Sequence, residues 1–261
     1  MRNTVVRRTA LAASVAALAL LGTACGSSPE PAKSAGDGGD KSSGTSGEEK
    51  TAVKALTAAE LEKAALTQAD VKSGTLDEKV PAKDNLAQEK VTSDKAECAP
   101  LAYLQSGTHV GKPAATVKRL WKGDAPKPAA GAKDEDQFLA RLNVPQAILT
   151  LASYEDGGAE QVMKDLNNSV DKCAAGFAFN VTGEKNNALK VTKTAAPEGA
   201  DEALAVTLIV DAGRKAPMKS VVVRKGSTVL FAPVVNIASI STGKDYAYPT
   251  EIVEAQLTKL G

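Results

Sequence analysis

The chain has 261 residues, 43% of them hydrophobic but only 3% aromatic, with 32 basic against 31 acidic side chains. That near-neutral balance argues against a nucleic-acid binder, and a single histidine excludes the HExxH zinc helix and every multi-histidine metal centre. Three cysteines and one tryptophan complete the short inventory of chemically distinctive residues.

The N-terminus sets Arg2, Arg7 and Arg8 before an apolar run over residues 10–21, followed by Gly22, Thr23, Ala24 and Cys25. A positive start, an apolar stretch of about a dozen residues and small residues before a cut site predict a secretory signal peptide over 1–24. The run falls short of the roughly 20 apolar residues that span a bilayer. The stretch LLGTACGSS resembles the lipobox of bacterial lipoproteins, with Gly22 where that motif usually has leucine. The resemblance implies that Cys25 is lipidated and becomes the first mature residue. Cleavage there removes three arginines and no acids, leaving 29 basic and 31 acidic residues. Membrane attachment would then rest on the lipid, at about 0.8 kcal/mol per buried methylene, because no polybasic patch supports it. Residues 26–50 hold six glycines, six serines and no aliphatic side chain beyond two alanines. Such a segment cannot offset its ordering entropy, so 25–50 reads as a disordered tether spanning roughly 25–30 Å.

Residues 51–261 read as a single α+β domain with a mainly antiparallel sheet and several packed helices. Thr57 and Glu60 form a capping box stapled by Leu56, predicting a helix that ends before Gly74. A short strand and a loop interrupted by Pro81 follow over 75–95, then a short helix over 96–105 that contains Cys98. Residues 106–137 read as a long loop broken by a strand at 117–121. A strand entered through Pro145 runs over 148–154. Asp156 is expected to cap the next helix, whose inward face is Ala159, Val162, Met163, Leu166, Val170 and Cys173, ending near Gly176. Strands are expected at 177–182, 188–194 and 203–210. A hairpin over 219–240 is expected to turn at Lys225 and Gly226, where glycine supplies a positive φ. A last helix is expected from Thr250 as cap through Leu260.

Cys98 and Cys173 are the only cysteines left after Cys25, and in an exported chain an even pair reads as a disulfide. Catalytic signatures fail one by one. Ser169 and Lys172 match SxxK, but the companion SDN and KTG elements are absent and the serine falls on an amphipathic helix. His109 sits in a loop-like Gly107–Gly111 setting and reads as a solvated histidine rather than part of a triad. Asp134, Glu135 and Asp136 lack EF-hand spacing and read as an acidic turn. The expectation is a non-enzyme with no cofactor and no metal.

The strand over 203–210 and the following hairpin are apolar on both faces. Helices can cover one; the other needs the first helix, the 106–145 segment, a ligand or a partner. The lipobox, the ECAPLA stretch at 97–102, a helix ending in Val170, Asp171, Lys172 and Cys173, and the VRKG turn at 223–226 resemble actinobacterial surface lipoproteins. The body is similar to the extracellular sensor domains of PknH-type serine/threonine kinases and related lipoproteins. That family typically carries two disulfides, whereas this chain has cysteines for one. The resemblance implies a non-catalytic sensor of an unknown small ligand, lipid or envelope protein, anchored on the extracellular face of the cell membrane. An envelope lipid or glycolipid carrier using the second apolar sheet face is the alternative.

Overall fold

The computed structural model describes residues 54–261; the expected signal peptide, Cys25 and the tether lie outside the described residues. The strands are β1 (Thr75–Asp77), β2 (Val91–Ser93), β3 (Ala115–Lys122), β4 (Pro145–Ser153), β5 (Phe177–Val181), β6 (Glu184–Thr194), β7 (Glu202–Asp211), β8 (Lys215–Lys225) and β9 (Thr228–Asn236). The helices are α1 (Ala58–Ala64), α2 (Ala99–Gln105), α3 (Asp134–Leu142), α4 (Gly158–Lys172), α5 (Ile237–Thr242) and α6 (Thr250–Leu260). Among the described residues the strands form one sheet in the order β1-β3-β4-β9-β8-β7-β6-β5-β2, with every neighbouring pair antiparallel. The fold is α+β.

Strand alternation divides the core in two. On one face Leu204, Val206, Leu208, Val222 and Phe231 are buried beneath α2 and α4, which contribute Leu101, Leu104, Val162 and Leu166. On the other, Leu149, Leu151, Val221, Val223 and Leu230 meet Leu61 of α1 and Ile252, Val253 and Leu257 of α6. The second apolar face is therefore filled by the first and last helices, not by the 106–145 segment or a ligand. A lipid carrier built on that face loses its premise.

The capping box forms as the sequence predicts: Glu60 N–H donates to Thr57 Oγ1, while Thr57 N–H donates to Glu60 Oε2 at 2.8 Å. Yet α1 stops at Ala64, ten residues before Gly74, because tertiary contacts take over the chain. Leu66 is fully buried, its N–H donates to Gln256 Oε1 of α6, and its carbonyl accepts from Arg119 Nε at 2.9 Å. Gln256 also donates to Ala64 O at 2.7 Å, so one buried amide joins the two helices. Further along, Lys259 reaches Asp70 at 2.5 Å and, with Thr67, holds that carboxyl down at about 2.

On the first face, Pro100 starts α2 after a single 3-10 turn at Ala96–Cys98. A disulfide joins Cys98 to Cys173 with Cα atoms 5.9 Å apart, pinning the start of α2 to the end of α4. Asp156 does not cap α4. It takes a positive φ of 49°, Gly157 follows at 76°, and the helix starts beyond both without a side-chain cap. The β8–β9 hairpin turns through Gly226 and Ser227 rather than Lys225 and Gly226, because Lys225 still pairs with Thr228; Gly226 takes φ 56° as a tight turn needs. Its second strand ends at Asn236 rather than near Ile240, because the Asn236 side chain accepts Ser239 N–H and opens α5.

Two further differences concern polar segments. The acidic residues 134–136 form the first turn of α3, where carboxylates suit the positive end of a helix. No α3 residue is buried, and Phe138 is 61% exposed, so sequence periodicity had no core-facing stripe to reveal it. The final helix is preceded by Pro249 in the cap position, with Thr250 inside its first turn.

Candidate functional site

The site is built where α2 ends before the strands beneath it do. After Gln105 the chain turns through Gly107 at φ 66°, and Thr150 Oγ1 of β4 donates to the Gly107 carbonyl at 2.8 Å. A β-carbon at Gly107 would lie 2.9 Å from Ile148, so only glycine lets the helix end approach the sheet this closely. Beyond that point the first sheet face continues without a helix above it. Leu120, Ile148, Met218, Pro233 and Val235 form an apolar floor drawn from β3, β4, β8 and β9.

The walls come from opposite margins of the curled sheet. One is the segment leading into β2, represented by Pro81 and Leu86, held down by Lys118 Nζ donating to Leu86 O at 2.7 Å. Burial lowers the Lys118 pKa from its ordinary value. The other is the β5–β6 hairpin, with Phe179, Val181 and Asn186 turned inward. Together they enclose a groove of about 560 Å³, within the range usual for small-molecule sites. Charges stand at its rim in both signs: Lys83 and Lys122, Asp84 and Glu184.

Gln105 is the polar exception. It is 7% exposed, donates through Nε2 to Ser220 Oγ at 2.7 Å, and among the described residues has no partner for Oε1. It is not among the residues that the sequence motifs mark for function. Its signal was available, since Gln105 lies four residues after the buried Leu101 on the inward face of a helix.

The residues considered for chemistry are not brought together. Ser169 is buried rather than on a polar helix face, and its hydroxyl donates to the carbonyls of Glu97 and Asp165, at 2.7 and 2.8 Å. It is a strut between α4 and the turn before α2. His109 is half-buried rather than solvated, and burial, with Lys118 nearby, lowers its pKa. Its carbonyl accepts from Gln88 Nε2, and among the described residues no hydrogen bond joins its ring to a serine or carboxylate. Among the described residues no cluster of three or more histidine, cysteine, aspartate or glutamate side chains could hold a metal ion, Asp134, Glu135 and Asp136 included. No described helix is long and apolar enough to cross a membrane.

No family model matches the chain, and no curated protein matches it in sequence. Among solved structures, the chain is similar to the extracellular domain of PknH from Mycobacterium tuberculosis. Identity is 8%, with 80% of this chain and 96% of that one covered, and the TM-score is 0.45. It is also similar to an uncharacterised protein from Mycobacterium smegmatis, at 14% identity over 71% of this chain and 80% of that one, with a TM-score of 0.31. These are similarities in outline and transfer no residue role.

Proposed function

We propose that the protein is a lipid-anchored extracytoplasmic lipoprotein whose folded domain binds a small ligand in the groove beyond α2, without catalysing a reaction. The observation that carries this reading is the apolar floor of Leu120, Ile148, Met218 and Val235 left open where α2 ends, with Gln105 Oε1, unpartnered among the described residues, at its back. Burial is normally completed by protein; here the uncovered stretch is shaped and walled rather than flat.

The placement of the groove suits a tethered domain. Leu56 N–H donates to Ser153 Oγ, and Ser227 Oγ donates to Lys54 O, so the described chain enters at one end of β4 and β9. Val235 lies seven residues along β9 from Thr228, which is about 23 Å at strand spacing. The groove thus lies toward the opposite end of these strands from the point where the described chain enters.

Two experiments test the two halves of the reading. Replacing Cys25→Ser should release the protein from the membrane fraction into the medium; full retention would contradict lipidation. Replacing the half-buried groove residue Ile148→Glu places a carboxylate on the apolar floor. Mass spectrometry of protein gently extracted from its native envelope should then find a small molecule with the wild type and at least tenfold less with the variant. Equal amounts, or none with either, would overturn the groove as the binding site.

A further inference from the structure

We infer that the groove selects a neutral ligand with an apolar body that donates one hydrogen bond, from a hydroxyl or an amide N–H, to Gln105 Oε1. This deepens the binding reading above and rests on it. Gln105 is held from behind: Nε2 donates to the hydroxyl of Ser220, which is 1% exposed, and this fixes the plane of the amide. Among the described residues the carbonyl end then has no hydrogen-bond partner. A buried amide oxygen left without a hydrogen bond is unfavourable, so a ligand donor that reaches it from the groove recovers an interaction that the described residues do not supply.

The surroundings define the rest of the molecule. Met218 precedes Ser220 by two residues on the same face of β8, and Ile148, Leu120 and Pro233 complete the apolar lining. The part of the ligand next to the donor must therefore be hydrocarbon. Rim charges do not ask for an ion, since the two lysines, Lys83 and Lys122, are balanced in number by Asp84 and Glu184. Lys122 is also within 3.9 Å of Asp77. A carboxylate ligand would bring charge into the groove and no donor for Gln105. An alcohol or a secondary amide satisfies the site without either penalty.

Met218 and Met163 provide an internal reporter and its control. Met218 lines the groove, whereas Met163 is buried on the inner face of α4. Methyl NMR of methionine-labelled full chain carrying Cys25→Ser is titrated with hexanol and, separately, with pentyl methyl ether. The two probes are isomers of nearly equal shape, and only the alcohol can donate. The expected result is a saturable shift of Met218, with Met163 unmoved, and affinity for hexanol about fivefold higher than for the ether. In the double variant Gln105→Met with Ser220→Ala, both probes should still bind and that ratio should fall to about one. Equal affinities in the unsubstituted groove would overturn the donor requirement while leaving the groove as a binding site. Absence of a saturable Met218 shift with either probe would overturn the groove reading itself. The alcohol-to-ether comparison needs no variant, so it decides the matter even if the double substitution impairs folding.

Discussion

Replacing both Cys98→Ala and Cys173→Ala should lower the folding free energy by about 4 kcal/mol and the melting temperature by about 10 °C. The bridge closes a loop across 75 positions of sequence, and the chain-entropy account of cross-links makes a loop of that length strongly constraining in the unfolded state. Packing adds to the effect, since both cysteines are fully buried in the core beneath α2 and α4. The site should feel the loss as well, because α2 ends in the groove's back wall and the bridge fixes its other end. Urea unfolding of the oxidised protein and the double variant measures the difference. A change below about 1 kcal/mol would show that packing alone holds the two helices together.

The substitution Arg119→Met should cost about 3 kcal/mol, whereas Glu62→Gln should cost well under 1 kcal/mol. Arg119 is 4% exposed although it is charged. Its guanidinium is satisfied chiefly by the chain: Nε donates to Leu66 O at 2.9 Å, and Nη1 to the carbonyls of Glu78 and Lys118. Only Nη2 meets a carboxylate, Glu62 Oε1 at 2.6 Å, and that glutamate side chain is 56% exposed. Removing the arginine strands the buried Leu66 carbonyl and frees the segment after α1, whereas removing the glutamate charge leaves every backbone bond in place. Denaturant unfolding of the two variants separates the alternatives. Equal losses would mean that the ion pair, not the carbonyl cluster, holds the segment.

How much of this was legible beforehand follows from the range of the forces. The Thr57 and Glu60 box and the inward face of α4 are written in residues a few positions apart, and each forms as the sequence predicts; the hairpin turn keeps Gly226 but falls one residue later than expected. The cysteine pair was also legible, since after Cys25 only one pairing remained. The end of α1 was not, because it is set by Gln256 and Arg119, partners 190 and 53 residues from Leu66. Nor was α3, which buries nothing and so leaves no periodic apolar trace. Both apolar faces of the central strands were evident; which helices cover them depended on where α6 packs. The groove itself could not be read from the sequence. It arises because α2 is shorter than the strands it covers, and its walls come from residues near 81–86 and 179–186.

The lengths of the outermost strands carry a consequence for life at a crowded surface. The sheet ends in β1 on one side and β2 on the other, and each is only three residues long. Long exposed edges offer unpaired backbone groups to any strand that drifts past, and such edges recruit copies into aggregates. Confinement beside a membrane would raise the frequency of encounters between copies many times over free diffusion. Where β1 and β2 form the margin, two copies meeting side by side find too few backbone partners to continue one sheet into the next. At those margins a chain anchored as proposed above would keep its groove to itself even when copies stand close together.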